Sequence, residues 1–273
     1  MAVAADSFYT HLLTSGRSEQ TARSYAANLR VFESWCHRRE ADPLDADKRV
    51  IESYLSDELK RLARNTVALR RAGLRAFYAY IGRPEVTLGL LVKREHLAPR
   101  KPMTETDLDV LLRSCRNDRD RAMLTVALEC GLRVSEVVGL RKPDVDLSDM
   151  TRLVRGKGSR QRWVVLSGRA ADALMPYLAA STGVLWWTRQ GNVMSVQRAK
   201  RNMWEIEQRA GIKAHYHRLR TTFASRFLRA THDIDSLQTL MGHADTNTTR
   251  RYAAYGAQQR ALDQMRRYSE PLL

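Results

Sequence analysis

At 273 residues, 44% of them hydrophobic, the chain can bury a real core and is long enough for one small and one medium domain, which excludes a disordered polyelectrolyte. Lysine and arginine outnumber aspartate and glutamate by 46 to 30, a formal charge of +16, so a polyanion is the natural partner and nucleic acid leads, although charge names no reaction. No apolar run approaches the roughly 20 residues of a bilayer span, the start lacks a basic region and a sustained apolar core, and Cys36, Cys115 and Cys130 stand too far apart for a zinc site or a disulfide framework, so the expectation is a soluble, unexported protein of a reducing cytoplasm.

In chain order, residues 18–39 place Ala22, Tyr25, Ala26, Leu29, Phe32 and Trp35 at spacings of three and four behind Ser18, a capping residue, which predicts an amphipathic helix. A second helix is predicted over 47–59. A third, over 65–81, carries Val67, Leu74, Phe77, Tyr78 and Ile81, with Gly82 as its stop. Thr21, Leu29, Phe32 and Trp35 align with Thr66, Leu74, Phe77 and Tyr80 at a constant offset, which gives two similar helices rather than a solenoid. The first 85 residues are therefore predicted to be all-helical, forming a domain over 1–90. The basic, proline-containing run that ends Ala98-Pro99-Arg100-Lys101-Pro102 is predicted as a linker over 91–102, its cations either following DNA phosphates or simply solvated.

The remainder, 103–273, is predicted to be mostly α with a small β-sheet, an α+β domain. Thr104 with Asp107 forms a capping box for a helix to about 116, and a helix over 118–130 closes at Gly131. Residues 151–166 hold Leu153-Val154 and Trp163-Val164-Val165-Leu166 around Gly156-Lys157-Gly158, two strands joined by a turn that carries Lys157. Further helices are expected over 169–180, 195–210, 219–229, 234–241 and 247–252, with an amphipathic piece bearing Ala261, Leu262 and Met265 beyond them. Trp186-Trp187 has the look of a core segment or buried strand.

Four segments of this domain hold chemistry-bearing groups in sequence order. Arg133 follows Gly131 in a tight connection between helices, from which an arginine projects freely. Lys157 occupies the glycine turn. His217 and Arg220 lie three apart, on one face of any helix that starts there. His243, in Met241-Gly242-His243, precedes Tyr252 by nine residues.

This ordered set resembles the tyrosine recombinase (phage integrase, Xer-like) family over about residues 101–256, and the helical first domain resembles that family's core-binding, SAM-like domain more loosely. Carried over by position, the resemblance implies that Arg133 and Arg220 are the catalytic arginines, Lys157 the turn lysine, His217 the partner of Arg220, His243 the last activator and Tyr252 the nucleophile. Met241 stands where leucine is usual, and Thr221 where a histidine is frequent; neither change removes a proton donor or a phosphate ligand.

The implied chemistry needs such a set, because a phenol with a pKa of about 10 is a poor nucleophile at neutral pH. Two guanidiniums would bind the non-bridging oxygens as charge builds on phosphorus. Lys157 would protonate the departing 5′ oxygen, His217 would accept or relay the tyrosine proton, and His243 would donate to a phosphate oxygen. With arginines neutralising the phosphate and no carboxylate cluster at metal-binding spacing, neither a metal nor another cofactor is expected. The 3′-phosphotyrosyl product would keep the bond energy, so rejoining would need no ATP.

Alternatives stay open at this level. Arg133 alone could be a capping arginine and Lys157 an ordinary turn residue; His215 rivals His217, and Tyr255 rivals Tyr252, the nine-residue step from His243 favouring the latter. The expected partners are double-stranded DNA recombination sites, gripped between the two domains, three further copies of the chain in a tetramer on DNA, and accessory DNA-bending or directionality proteins, with no membrane. The competing functions are a type IB topoisomerase-like or telomere-resolving enzyme and a non-catalytic DNA-binding protein on the same fold. The length also argues against a further arm-binding domain before residue 1.

Overall fold

A computed structural model describes residues 2–93, 95, 101–155 and 161–242. The chain divides into two compact units, Met1–Leu97 and Ala98–Leu273.

The first unit contains α1 (Ala2–Thr14), α2 (Glu19–His37), α3 (Lys48–Arg61) and α4 (Arg64–Tyr80), followed by a 3₁₀ turn at Pro84–Thr87. Ser18 caps α2 by accepting from the Thr21 amide, and Asp47 caps α3 by accepting from the Val50 amide at 2.9 Å. The repeated stripe packs as its spacing requires: Leu29, Phe32 and Trp35 of α2 and Leu74 and Phe77 of α4 are all buried. Tyr80, the counterpart of Trp35, is the exception and remains 38% exposed. Helix α1 was not anticipated, although Ala5, Phe8 and Leu12 form a stripe at helical spacing; all three are buried, and Phe8 meets Phe77 edge-on at 5.4 Å. Val86 and Leu90 join the same core, so the chain just beyond Pro84 belongs to this unit.

The second unit runs through α5 (Glu105–Arg113), α6 (Asp118–Glu129), α7 (Val134–Val138), β1 (Val145–Asp146), β2 (Thr151–Arg155), β3 (Gln161–Val165), α8 (Gly168–Ala180), α9 (Val196–Ala210), α10 (Tyr216–Thr231) and α11 (Ile234–Met241). The Thr104 and Asp107 capping box is present at the start of α5. Helix α6 is buried over most of its circumference, from Ala122 through Leu128, and α8 and α10 pack on it. Each fully buried leucine or valine there contributes about 1.5–3 kcal/mol.

The strands form an antiparallel sheet in the order β1-β2-β3, with Arg152 opposite Val164 and Leu153 opposite Trp163. Alternation sends Val154 and Val164 into the core and leaves Trp163 and Val165 outside. The two predicted strands are therefore present, and the two-residue β1 was too short to register in the sequence. The turn at 156–160, with Lys157, lies outside the described residues, as do the predicted helix over 247–252 and the piece carrying Ala261, Leu262 and Met265.

Two expectations need correction. Trp186 is fully buried and its indole donates to the Val137 carbonyl at 2.7 Å, but Trp187 is half exposed, because the chain there makes only an isolated bridge to Val193. Helix α10 begins at Tyr216, three residues before the predicted start, which places His217 in its first turn. Among the described residues no helix is long and apolar enough to cross a membrane.

Candidate active site

Helix α6 ends at Glu129 with Cys130 as its C-cap, and Gly131 turns the chain with φ +61°, a conformation glycine adopts without strain. Two residues later Arg133 is the N-cap residue of α7, with extended backbone. Glu136, in the first turn of that helix, reaches back: its carboxylate accepts from the Arg133 amide at 2.8 Å and from Arg133 Nη1 at 2.8 Å. Arg133 thus does not project freely from its turn; it is tethered, with its side chain still 40% exposed.

Glu136 is the hub of the site. Arg162 of β3 places Nη1 at 2.9 Å from one carboxylate oxygen and Nη2 at 3.0 Å from the other, and Arg220 of α10 lies 3.7 Å away. Burial alone would push this carboxyl up. The hydrogen bonds from Arg162, the Arg133 amide and the two guanidinium charges outweigh burial and hold it at about 2. Three guanidiniums around one carboxylate leave the cluster cationic.

The same three arginines meet the end of α11, where the last carbonyls have no partner within the helix and carry the negative end of its dipole. Arg162 Nε donates to the Leu240 carbonyl at 2.6 Å, Arg220 Nη2 to the Met241 carbonyl at 2.5 Å and Arg133 Nη2 to the Gly242 carbonyl at 3.3 Å. Arg220 also donates to the Gly131 carbonyl at 2.5 Å, which joins the end of α6 to the end of α11. Met241 is buried among Ala224, Leu228 and Leu237, which seats α11 on α10.

Arg133, His217 and Arg220 line one cleft of about 500 Å³, together with Lys200, Glu207 and Tyr216. His217 is exposed at the mouth while Arg220 is buried, as expected for residues three apart on a helix that half enters the core. His215 lines the same cleft, its ring 6.5 Å from that of His217 and nearly perpendicular to it, so the cleft admits both histidines. The structure thus unites three of the predicted residues. Lys157, His243, Tyr252 and its rival Tyr255 lie outside the described residues.

Glu136 and Arg162 carried no expectation. The signal for Glu136 was an acidic residue three beyond the residue that opens α7, the pattern of a capping carboxylate. For Arg162 it was alternation, because the residue shares the inward face of β3 with Val164, and a cation facing inward needs an anionic partner.

A helical first unit and an α+β second unit, with Arg133, Arg220 and two histidines lining one cleft of the latter, provide the donors and charge that binding of an anion such as a phosphodiester requires. Family comparison sharpens this: residues 101–259 match the phage integrase family, and residues 5–84 match the phage integrase N-terminal SAM-like domain. The tyrosine recombinase XerC of Chromobacterium violaceum is 31% identical over 265 residues, covering 90% of this chain and 88% of that protein. XerD of Pseudomonas aeruginosa is 32% identical, covering 88% of each. The chain belongs to the phage integrase family of tyrosine recombinases, and its activity is site-specific DNA recombination. Solved structures share the fold: XerA recombinase has a TM-score of 0.55 at 24% identity over 99% of both chains. A lambda integrase fragment, a dimer bound to a core site, has a TM-score of 0.72 at 16% identity, covering 92% of this chain and 94% of that one.

Proposed function

We propose that Tyr252 attacks the scissile phosphodiester, forming a 3′-phosphotyrosyl enzyme and releasing a 5′ hydroxyl, and that attack by a 5′ hydroxyl from the partner duplex reverses the step. Arg133 and Arg220 bind the non-bridging oxygens and stabilise the charge that grows on them. Lys157 gives its proton to the leaving 5′ oxygen, His217 takes or relays the phenol proton, and His243 donates to a phosphate oxygen. Bond energy stays in the phosphotyrosine, so no ATP is required, and because the two arginines neutralise the phosphate the step needs no metal. The observation that carries the reading is the convergence of Arg133, His217 and Arg220 on one cleft, with both arginines held against the helix end from which the chain continues to His243.

In this reading residues 1–90 bind DNA beside the site, 91–102 link and 103–273 catalyse. The DNA contexts of relatives support it: XerH has been solved bound to difH substrate and the Tn1549 integrase bound to circular-intermediate DNA. The working assembly is a homotetramer on paired recombination sites in the cytoplasm, at the nucleoid, aided by DNA-bending or directionality proteins. Its outcome is integration and excision, or resolution, of DNA.

The test uses two differently marked duplexes carrying a site selected by this protein from a random-sequence pool. Recombinant strands should form in EDTA without nucleotide. A product that needs ATP or a divalent ion, or relaxation of one duplex without exchange, would contradict the reading.

A further inference from the structure

Arg162 lies outside the family set carried over from the sequence and is not among the residues lining the cleft, yet it contacts both Glu136 and the end of α11. Its side chain is 11% exposed. Both terminal nitrogens engage Glu136 in a forked pair, and Nε is spent on the Leu240 carbonyl, so all three nitrogens have directed partners. A planar fork with a third donor at its neck fits this arrangement; the point charge of a lysine does not.

Gly242 gives a second observation. It has φ +59°, and a Cβ built there would stand 3.0 Å from Arg162 Nη1 and 3.1 Å from its Cδ. Arg162 therefore lies directly against the backbone at the end of α11. In sequence it stands five residues after Lys157, and Gly242 stands immediately before His243.

We propose that Arg162 is a positioning residue for strand cleavage: by fixing the Glu136 carboxylate and the Leu240 carbonyl together, it holds Arg133 and Arg220 in register with the end of α11. Both cleft arginines approach the Glu136 carboxylate that Arg162 fixes, and each takes a carbonyl of residues 241–242, next in the chain to the Leu240 carbonyl that Arg162 holds. Without Arg162 the carboxylate loses its forked guanidinium partner, and the helix end loses the first of three donors. Arginines displaced by a fraction of an ångström from the phosphate oxygens would still bind DNA and would stabilise the transition state poorly. The inference rests on the assignment of Arg133 and Arg220 to the phosphate.

The experiment compares wild type, Arg162→Met and Arg162→Lys on a nicked duplex built on the selected site, with Tyr252→Phe in parallel. Folding is checked by thermal melting and DNA binding by gel shift, and the rate of covalent adduct formation is followed from pH 5 to 8. Folded, DNA-binding Arg162→Met should form adduct on the order of 100-fold more slowly, as expected for misplaced catalytic groups. Its rate should also fall more steeply towards acid pH than that of wild type, because Glu136 has lost the strongest influence holding its proton affinity down. Adding Glu136→Gln should remove that acid limb. Arg162→Lys should keep the wild-type profile and stay slow. Should Arg162→Met fail to fold, Arg162→Lys carries the test. Either variant cleaving at the wild-type rate while folded, or a slower Arg162→Met whose profile superimposes on that of wild type, overturns the proposal. Persistence of the adduct in Tyr252→Phe would instead sink the underlying site assignment.

Discussion

Gly131 lies beneath the ring of Phe223 so closely that a Cβ added to it would fall 2.3 Å from Phe223 Cδ1. Because the carbonyl of this glycine also accepts from Arg220, the contact couples packing of α10 to the placement of a cleft arginine. Gly131→Ala should destabilise the protein by about 2–5 kcal/mol, combining a left-handed alanine with an overpacked core. Urea unfolding measures the loss, and adduct formation by the folded fraction should also fall.

Acid should act through Glu136. Its carboxyl is lowered from 4.5 to about 2, so it stabilises the folded state above its unfolded pKa, and that contribution disappears as pH falls from 4.5 through 2. Glu136→Gln should therefore be less stable than wild type by about 3 kcal/mol above pH 5, at about 1.4 kcal/mol per unit, with the gap closing towards pH 2. Denaturation midpoints across this range check the sign.

Trp186 makes a comparable prediction away from the cleft. Trp186→Phe removes the indole donor from the Val137 carbonyl and opens a void in a fully buried site. A loss of about 2–4 kcal/mol is expected from the unmade hydrogen bond and the cavity together. Tyr177, whose ring lies 5.0 Å from Trp186, should repack only in part. Thermal melting of the variant gives the value.

DNA binding should weaken steeply with salt, as required of a chain with a formal charge of +16. Arg133→Gln should reduce the slope of log K against log salt by about 1, consistent with the loss of one phosphate contact. Titrations of a labelled duplex at several salt concentrations measure it.

Much of the fold was legible because it rests on local patterns. Ser18 and Thr104 cap the helices their side chains predict, and the stripe of Leu29, Phe32 and Trp35 recurs in α4 as Leu74 and Phe77. Helix α1 escaped because it has no polar cap to announce it, and β1 because two residues carry no period. Arg133, His217 and Arg220 were legible through motif order. Glu136 and Arg162 were not, since their importance comes from contacts between α7, β3 and α11 that no local spacing encodes. Trp187 shows the converse, because an indole beside a buried one was read as core yet faces outward.

The most direct test of the account is a denaturing gel of wild type, Tyr252→Phe and Tyr255→Phe after incubation with the nicked duplex. The account predicts a covalent protein–DNA band for wild type and Tyr255→Phe and none for Tyr252→Phe, with DNA binding kept in all three. An adduct that survives in Tyr252→Phe, or that vanishes only in Tyr255→Phe, would contradict it.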